Sequence, residues 1–148
     1  MGSVVIEMKL TASKKQLIER EVAKYKAQMG IEFEIGLWFK SREVLDAPIE
    51  VTEGRRTSAY RAYGVCYNKP LNGKIMLFIN VRRIPSTADL RDTIIHELAH
   101  VRFPSMAHVR EFYQIIKKVK NGKQYPTYKG SKWSKRFQNE CRTEIQEV

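Results

Sequence analysis

Two histidines and a glutamate form the most informative short stretch of the chain, His96-Glu97-Leu98-Ala99-His100. If this stretch is helical, the imidazoles of His96 and His100 project from one face, one turn apart, which is the separation that two ligands of one metal ion need. Glu97 then lies at the edge of the same face, where its carboxylate can take a proton from a metal-bound water without being a ligand. The spacing predicts a catalytic zinc (Zn2+) site, and a chance pair of surface histidines is the alternative.

A third ligand has to come from another segment, because a catalytic zinc site keeps three protein ligands and one open position. His108 is the remaining histidine of the chain. We predict it at the start of a second helix that returns beside the first, from where its imidazole can complete the site. Glu111, one turn further on, is the alternative third ligand or a partner that orients a ligand. We expect His108, because the first residue of the returning helix lies nearest the metal.

The segments on either side predict the helices that hold these residues. Apolar residues flank the histidine face over 94–101, so the helix can bury that flank while the histidines face a cleft. Ser86, followed three residues later by an aspartate, resembles the capping box that begins a helix, and Pro104 cannot continue one. The next helix carries apolar residues at helical spacing over 109–119 and ends at Asn121-Gly122.

Upstream, the pattern predicts one long helix and a small sheet. Apolar residues recur at helical spacing from the Thr11–Ser13 caps to Gly30. Alternation predicts a strand over 31–39 and a hairpin of strands 59–67 and 74–81, whose connection contains the turn-forming Asn72-Gly73. The segment 44–51 is either an edge strand or a loop, because a proline interrupts it. Together these elements predict an α+β fold in which a small antiparallel sheet packs against helices, including the helix of His96 and His100.

Charge is the strongest feature of the composition, with 27 Lys and Arg against 16 Asp and Glu and a net charge of +11 over 148 residues. Such a surplus predicts a polyanionic partner such as nucleic acid, and a merely basic surface is the alternative. No apolar run reaches the length of a membrane span, and Glu7 follows the N-terminus too soon for a signal peptide. We therefore expect a cytoplasmic or nucleoid-associated protein that is not secreted. Cys66 and Cys141 lie too far apart in sequence to suggest a cysteine-based zinc site.

Residues 117–136 carry much of this charge and contain no acidic residue. Lysines along a backbone track with aromatic rings between them suit single-stranded or distorted nucleic acid, DNA more than RNA. A solvated tail whose aromatic residues cover the core is the alternative. The candidate contacts are Lys117, Lys118, Lys120, Lys123, Lys129, Lys132, Trp133, Lys135 and Arg136. We accordingly divide the chain into a domain over 1–122 and a basic, aromatic extension over 123–148.

The order of these motifs resembles the SprT-like zinc metalloproteases and the related YgjP-type metallopeptidase domains. The likeness rests on the strand around Tyr63-Gly64-Val65-Cys66, the strand at 73–77, the helix at 90–100 and the segment 108–112. It implies a zincin-like fold in which His96, His100 and His108 are zinc ligands and Glu97 is the catalytic base. It also implies a zinc-dependent endopeptidase that acts on proteins bound to or near DNA.

The reaction would need a further donor for the developing oxyanion, and the sequence offers Tyr63, Tyr67, Tyr113 and Arg110 without ranking them. Three other functions are compatible with the same residues. The chain could be a zinc hydrolase of a non-peptide substrate, because the same water activation serves other bonds. It could be a nucleic-acid-binding protein with a structural zinc site, or an inactive relative that serves as a scaffold.

Overall fold

The computed structural model describes residues 9–52, 61–104, 106, 108 and 110–122. The predicted extension over 123–148 lies outside these residues, as does the start of the strand predicted from residue 59. The described chain is α+β, with five α-helices and one three-stranded sheet. None of the helices in these ranges is long and apolar enough to cross a membrane.

Helix α1 spans Ala12–Met29 and begins and ends as its capping residues predict. The Thr11 side chain accepts a hydrogen bond from the Lys14 backbone N–H at 3.1 Å, which satisfies one of the unpaired donors of the first turn. Gly30 follows the last turn in the left-handed region, at φ 67°. The buried face consists of Ile18, Val22, Tyr25 and Met29.

The sheet contains β1 (Glu34–Trp38), β2 (Gly64–Leu71) and β3 (Lys74–Ile79) in the order β1-β3-β2. Strands β2 and β3 form the predicted antiparallel hairpin, and Asn72 and Gly73 make its turn at φ 51° and 80°. Strand β1, however, pairs with β3 in parallel. The predicted all-antiparallel sheet is therefore wrong, and the sheet is mixed. Periodicity reveals that a segment is a strand, but it carries no information on which strand will pair with it across a crossover.

Two short helices replace the strand or loop predicted at 44–51. Helix α2 is Ser41–Asp46 and helix α3 is Ile49–Thr52, and Pro48 lies between them, where its carbonyl accepts the Val51 backbone N–H at 3.0 Å. Proline fits here because a helix tolerates it at its first turn. Val44 packs with apolar residues of all three strands on one face of the sheet, namely Trp38, Val65, Tyr67, Met76 and Phe78.

The opposite face of the sheet carries the larger core and the helix of interest. There α1 packs with α4 (Thr87–Arg102) and α5 (Arg110–Lys120) against Ile75, Leu77 and Ile79. Ser86 caps α4 as predicted, since its hydroxyl oxygen accepts the Asp89 backbone N–H at 3.1 Å. Helix α5 begins at Arg110, so His108 lies in a bend before the helix rather than at its first residue. Both faces of the sheet are thus covered, and α4 is held between the sheet and the other two helices.

Candidate metal centre

Three imidazoles converge at the C-terminal half of α4. His96 and His100 lie one turn apart on this helix, and their Nε2 atoms are 3.1 Å from each other. The bend before α5 brings His108 to the same place, with its Nε2 3.0 Å from that of His100. One nitrogen from each ring lies within 4.8 Å of the other two. The structure therefore assembles the three histidines that the sequence predicted as ligands, close enough to hold one metal ion.

The nitrogen distances fit a shared metal better than hydrogen bonds between the rings. Two ligands at the Zn–N distance and a tetrahedral angle lie about 3.3 Å apart, near the 3.0 and 3.1 Å observed here. A neutral imidazole nitrogen carries either one hydrogen or one lone pair. The Nε2 of His100 therefore cannot form a good hydrogen bond with both neighbours at once. A cation between the rings would accept one lone pair from each of them, and imidazole is a ligand that suits several transition metals, zinc among them.

Phe112 forms an apolar floor beneath the three rings. Its centroid lies 5.1 Å from that of His96, 4.7 Å from that of His100 and 5.4 Å from that of His108. The ring is stacked on His100 at 29° and meets the other two edge to face. Phe112 is fully buried, so it can restrict all three imidazoles to one arrangement. Helix α5 thereby supports the site that α4 and the bend create.

Glu97 is buried next to this centre and borders an open cavity. Only 6% of its surface is exposed, although a carboxylate is rarely buried unless it is paired. The cavity has a volume of about 310 Å³ and is lined by Tyr63, Gly64, Asp89, Asp92, Thr93, His96 and Glu97. A molecule that enters the cavity from solvent can reach the Glu97 carboxylate and the His96 ring at the same time. This arrangement suits a residue that exchanges a proton with a bound molecule.

Glu111, the alternative third ligand, does not belong to the cluster. Among the described residues, the group of potential ligands that lie together consists of His96, His100 and His108. Glu111 is exposed in the first turn of α5. Helical geometry explains its position, since Phe112, the next residue, points inward and a neighbouring residue on the helix points to another face.

The structure separates the four candidate oxyanion donors. Tyr67 is 2% exposed and packs against Trp38 on the far face of the sheet, so it is remote from the cavity. Tyr63 is 45% exposed and lines the cavity with His96 and Glu97. Tyr113 is exposed beside His108, with 6.3 Å between the two ring centroids, and Arg110 is exposed on α5. Tyr63 is the donor that shares the cavity with Glu97.

The predicted nucleic-acid contacts are only in part within the described residues. Lys117 and Lys118 are exposed on α5. Lys120 instead lies 3.0 Å from a carboxylate oxygen of Asp92, so this lysine links the end of α5 to the beginning of α4. The remaining candidates lie outside the described residues: Lys123, Lys129, Lys132, Trp133, Lys135 and Arg136.

The histidine cluster should make the metal-free protein sensitive to acid. Burial and, secondarily, the nearby His108 lower the pKa of His96 below its ordinary value of 6.5. The unfolded chain therefore binds a proton at His96 more readily than the folded chain does. The free energy of unfolding is thus unaffected by this group above about pH 6.5 and decreases as the pH falls below that value. We expect the melting temperature of chelator-treated protein to decrease over this range.

Thermal melts of the metal-free protein at a series of pH values measure this effect. The His96→Gln variant is the control, because it removes the titrating ring and should flatten the dependence below pH 6.5. An equally steep dependence in His96→Gln would contradict the assignment of the effect to His96.

Two residues shape the site without being among the predicted site residues. Gly64 contacts α4 where Glu97 and Thr93 lie, and Phe112 lies beneath the imidazoles. An isolated glycine in a strand pattern often marks a close approach of another backbone element, which is the signal for the role of Gly64. The sequence pattern places Phe112 on the apolar face of an amphipathic helix and does not show that it lies beneath the imidazoles.

Comparison with known proteins adds no relative. No family model, no curated protein and no solved structure matches this chain. The function is therefore inferred from the chemistry of the residues around His96, Glu97, His100 and His108.

Proposed function

We propose that this protein is a zinc-dependent endopeptidase of the SprT-like type, acting on proteins bound to or near DNA. The observation that carries the proposal is the convergence of three imidazole nitrogens beside a buried glutamate that opens onto a cavity. Three nitrogen ligands leave the fourth position of a tetrahedral metal for water or substrate, which is the arrangement of catalytic rather than structural zinc sites.

In this proposal each residue has one task. His96, His100 and His108 hold the zinc, which when bound polarises the scissile carbonyl and activates a water for attack. The Glu97 carboxylate accepts the proton of the attacking water and passes it to the leaving amine. Tyr63, at the cavity, can donate a hydrogen bond to the oxygen of the substrate carbonyl as negative charge develops on it.

The position of β2 suits an extended peptide. Among the strands of the described residues, β2 is at one edge of the sheet, and its first residue, Gly64, lines the cavity beside Glu97. A substrate segment can add to such an edge by backbone hydrogen bonds, which bring a peptide carbonyl to the centre with little selectivity for side chains. An endopeptidase that accepts many unfolded segments follows from this mode of binding.

The test combines metal content with cleavage. Purified protein should contain one zinc per chain by mass spectrometry and should cleave an unfolded protein such as denatured casein. The His108→Ala variant should lose most of the zinc and the cleavage. Glu111→Ala, which changes an exposed neighbour on the same segment, is the matched control and should retain both.

Three results would contradict the proposal in different ways. Full zinc content without cleavage of any unfolded protein, together with loss of the fold on chelation, indicates a structural site. Zinc loss in Glu111→Ala rather than His108→Ala would show that the ligand set is different. Cleavage that persists after complete removal of metal would exclude a metallopeptidase.

The nucleic-acid part of the proposal rests on charge. The chain has a net charge of +11, and Lys117 and Lys118 are exposed at the end of the described chain, next to the basic residues that follow. We expect binding to single-stranded DNA that weakens steeply as salt concentration rises, because the binding releases counterions. Fluorescence anisotropy should show weaker binding for Lys117→Ala/Lys118→Ala but not for Glu97→Gln. No binding at low salt would refute this part alone.

A further inference from the structure

The first residue of β2 lies unusually close to α4. A β-carbon added to Gly64 would be 2.8 Å from Cγ2 of Thr93 and 3.0 Å from Cγ of Glu97. It would also be 3.2 Å from the carbonyl oxygen of Phe78. Such distances are shorter than ordinary carbon–carbon contacts of about 3.5–4.0 Å. Glycine is therefore the residue that allows the strand to touch the helix at Glu97.

The strand is fixed at this point and cannot easily move away. Gly64 is in register with Ile79 of β3. Just before it, the Tyr63 carbonyl accepts the backbone N–H of Asn80 at 2.8 Å, and the Ala62 carbonyl accepts the Asn80 side-chain amide at 3.2 Å. Asn80 itself is buried. A side chain at position 64 would thus have to displace side chains of α4 rather than the strand.

On the helix side, Thr93 has little freedom. It is buried, and its hydroxyl donates a hydrogen bond to the Asp89 carbonyl at 2.8 Å, which holds the methyl group toward Gly64. Both side chains line the open cavity, but Glu97 has more rotatable bonds than Thr93, so the Glu97 side chain is the one that shifts more easily. Any group larger than hydrogen at position 64 would therefore move the Glu97 side chain relative to His96.

We propose that Gly64 is a positioning residue. Because it has no side chain, the strand packs directly against the Glu97 side chain and limits its movement away from the cavity that Glu97 shares with His96. This inference rests on the proposed function, because it assigns Gly64 a role through the catalytic base. It adds a residue of the sheet to a site otherwise built from α4, the bend and α5.

The experiment compares Gly64→Ala in the wild-type and Glu97→Ala backgrounds. The readouts are zinc content, the visible spectrum of the protein loaded with cobalt instead of zinc, and the kcat and KM for casein cleavage. We expect Gly64→Ala to retain its zinc, to alter the cobalt spectrum and to reduce kcat about 10- to 100-fold with little change in KM, as expected for a displaced catalytic group. In the Glu97→Ala background, which lacks the Cγ that a side chain at position 64 would push, the same substitution should leave the spectrum unchanged, since effects that run through one residue do not add.

Gly36→Ala is the matched control. Gly36 is also within the sheet, but a β-carbon there would meet the flexible end of Met76, in the core layer on the other face of the sheet. This variant should lower the melting temperature modestly and leave the cobalt spectrum and kcat unchanged. A general effect of alanine in the sheet would change both glycine variants alike.

A second variant separates packing from positioning. Thr93→Ser removes the methyl group closest to Gly64 and retains the hydroxyl that bonds to Asp89. In Gly64→Ala/Thr93→Ser we expect the melting temperature to return to that of Thr93→Ser, while the altered spectrum persists because the contact with Glu97 remains. If Gly64→Ala alone fails to fold, this double variant is used for the test instead. Failure of the double variant to fold would overturn the inference and show that Gly64 has a packing role.

The remaining outcomes distinguish the inference from the proposed function. A Gly64→Ala protein with the spectrum and kcat of the wild type overturns the positioning role and leaves the peptidase intact. Equal spectral changes in both backgrounds overturn it too, because the effect would then not run through Glu97. If the wild type neither binds metal nor cleaves protein, the proposed function fails and the inference falls with it.

Discussion

Replacing Glu97 with glutamine is expected to leave the metal in place and to reduce cleavage by at least about 10²–10⁴-fold, the usual contribution of general acid–base catalysis. Glutamine has nearly the same shape and fits the same buried site, but it cannot accept a proton at pH 7. Glu97 is not one of the three potential metal ligands that lie together, which are all histidines. The loss should therefore appear in kcat while zinc content and the melting temperature of the zinc-loaded protein stay close to wild type.

The control for Glu97→Gln is the same substitution at a carboxylate outside the three-histidine centre. Glu111→Gln removes the same charge from the exposed face of α5 and should retain full activity. Zinc loss in Glu97→Gln would indicate that the carboxylate is a ligand rather than a base. Activity within about tenfold of the wild type would show that another group accepts the proton, since a general base contributes more than that.

Phe112→Ala is expected to cost about 3–5 kcal/mol in the free energy of unfolding, as for other large-to-small changes of buried aromatic residues. The ring is fully buried and lies about equally close to His96, His100 and His108. Its removal leaves a cavity directly beneath the imidazoles, so they should lose their common orientation. We therefore expect weaker zinc binding as well as a lower unfolding free energy.

Chemical denaturation of the metal-free protein measures the first effect, and competition with a chelator measures the second. Phe112→Leu keeps an apolar side chain and should be affected less in both. Tyr113→Ala is the neighbouring control, because Tyr113 is 53% exposed and its loss should change unfolding little. Unchanged zinc affinity in a folded Phe112→Ala protein would show that the rings are oriented without the apolar floor.

The two predictions concern opposite sides of the same centre. Glu97 faces the cavity beside β2, whereas Phe112 closes the side formed by α5. Helix α4 can serve both because its apolar residues Ile94, Ile95 and Leu98 are buried in the core while the histidine face is only partly covered. A helix so firmly anchored keeps His96 and His100 in position before any metal binds, which reduces the cost of forming the site.

Local chemistry determined the elements that carry the site. Ser86 and Pro104 bound α4 because a cap hydroxyl and an imino acid act within one turn of the chain. The four-residue spacing of His96 and His100 placed both rings on one face, since it is close to the helical repeat. The turn at Asn72-Gly73 and the caps of α1 were predictable from sequence because they too depend on the preferences of neighbouring residues.

Tertiary structure decided how these elements pair and pack with one another. The parallel pairing of β1 with β3 depends on a partner distant in sequence. So does the formation of α2 and α3 where the sequence predicted an edge strand or a loop. The choice of His108 over Glu111 as the neighbour of His100 was decided by the path of the bend before α5. The contacts of Gly64 with Glu97 and of Phe112 with the three rings are likewise contacts between elements. Spacing along one helix prescribes which side chains share a face, but only packing determines which residue of another element lies against that face.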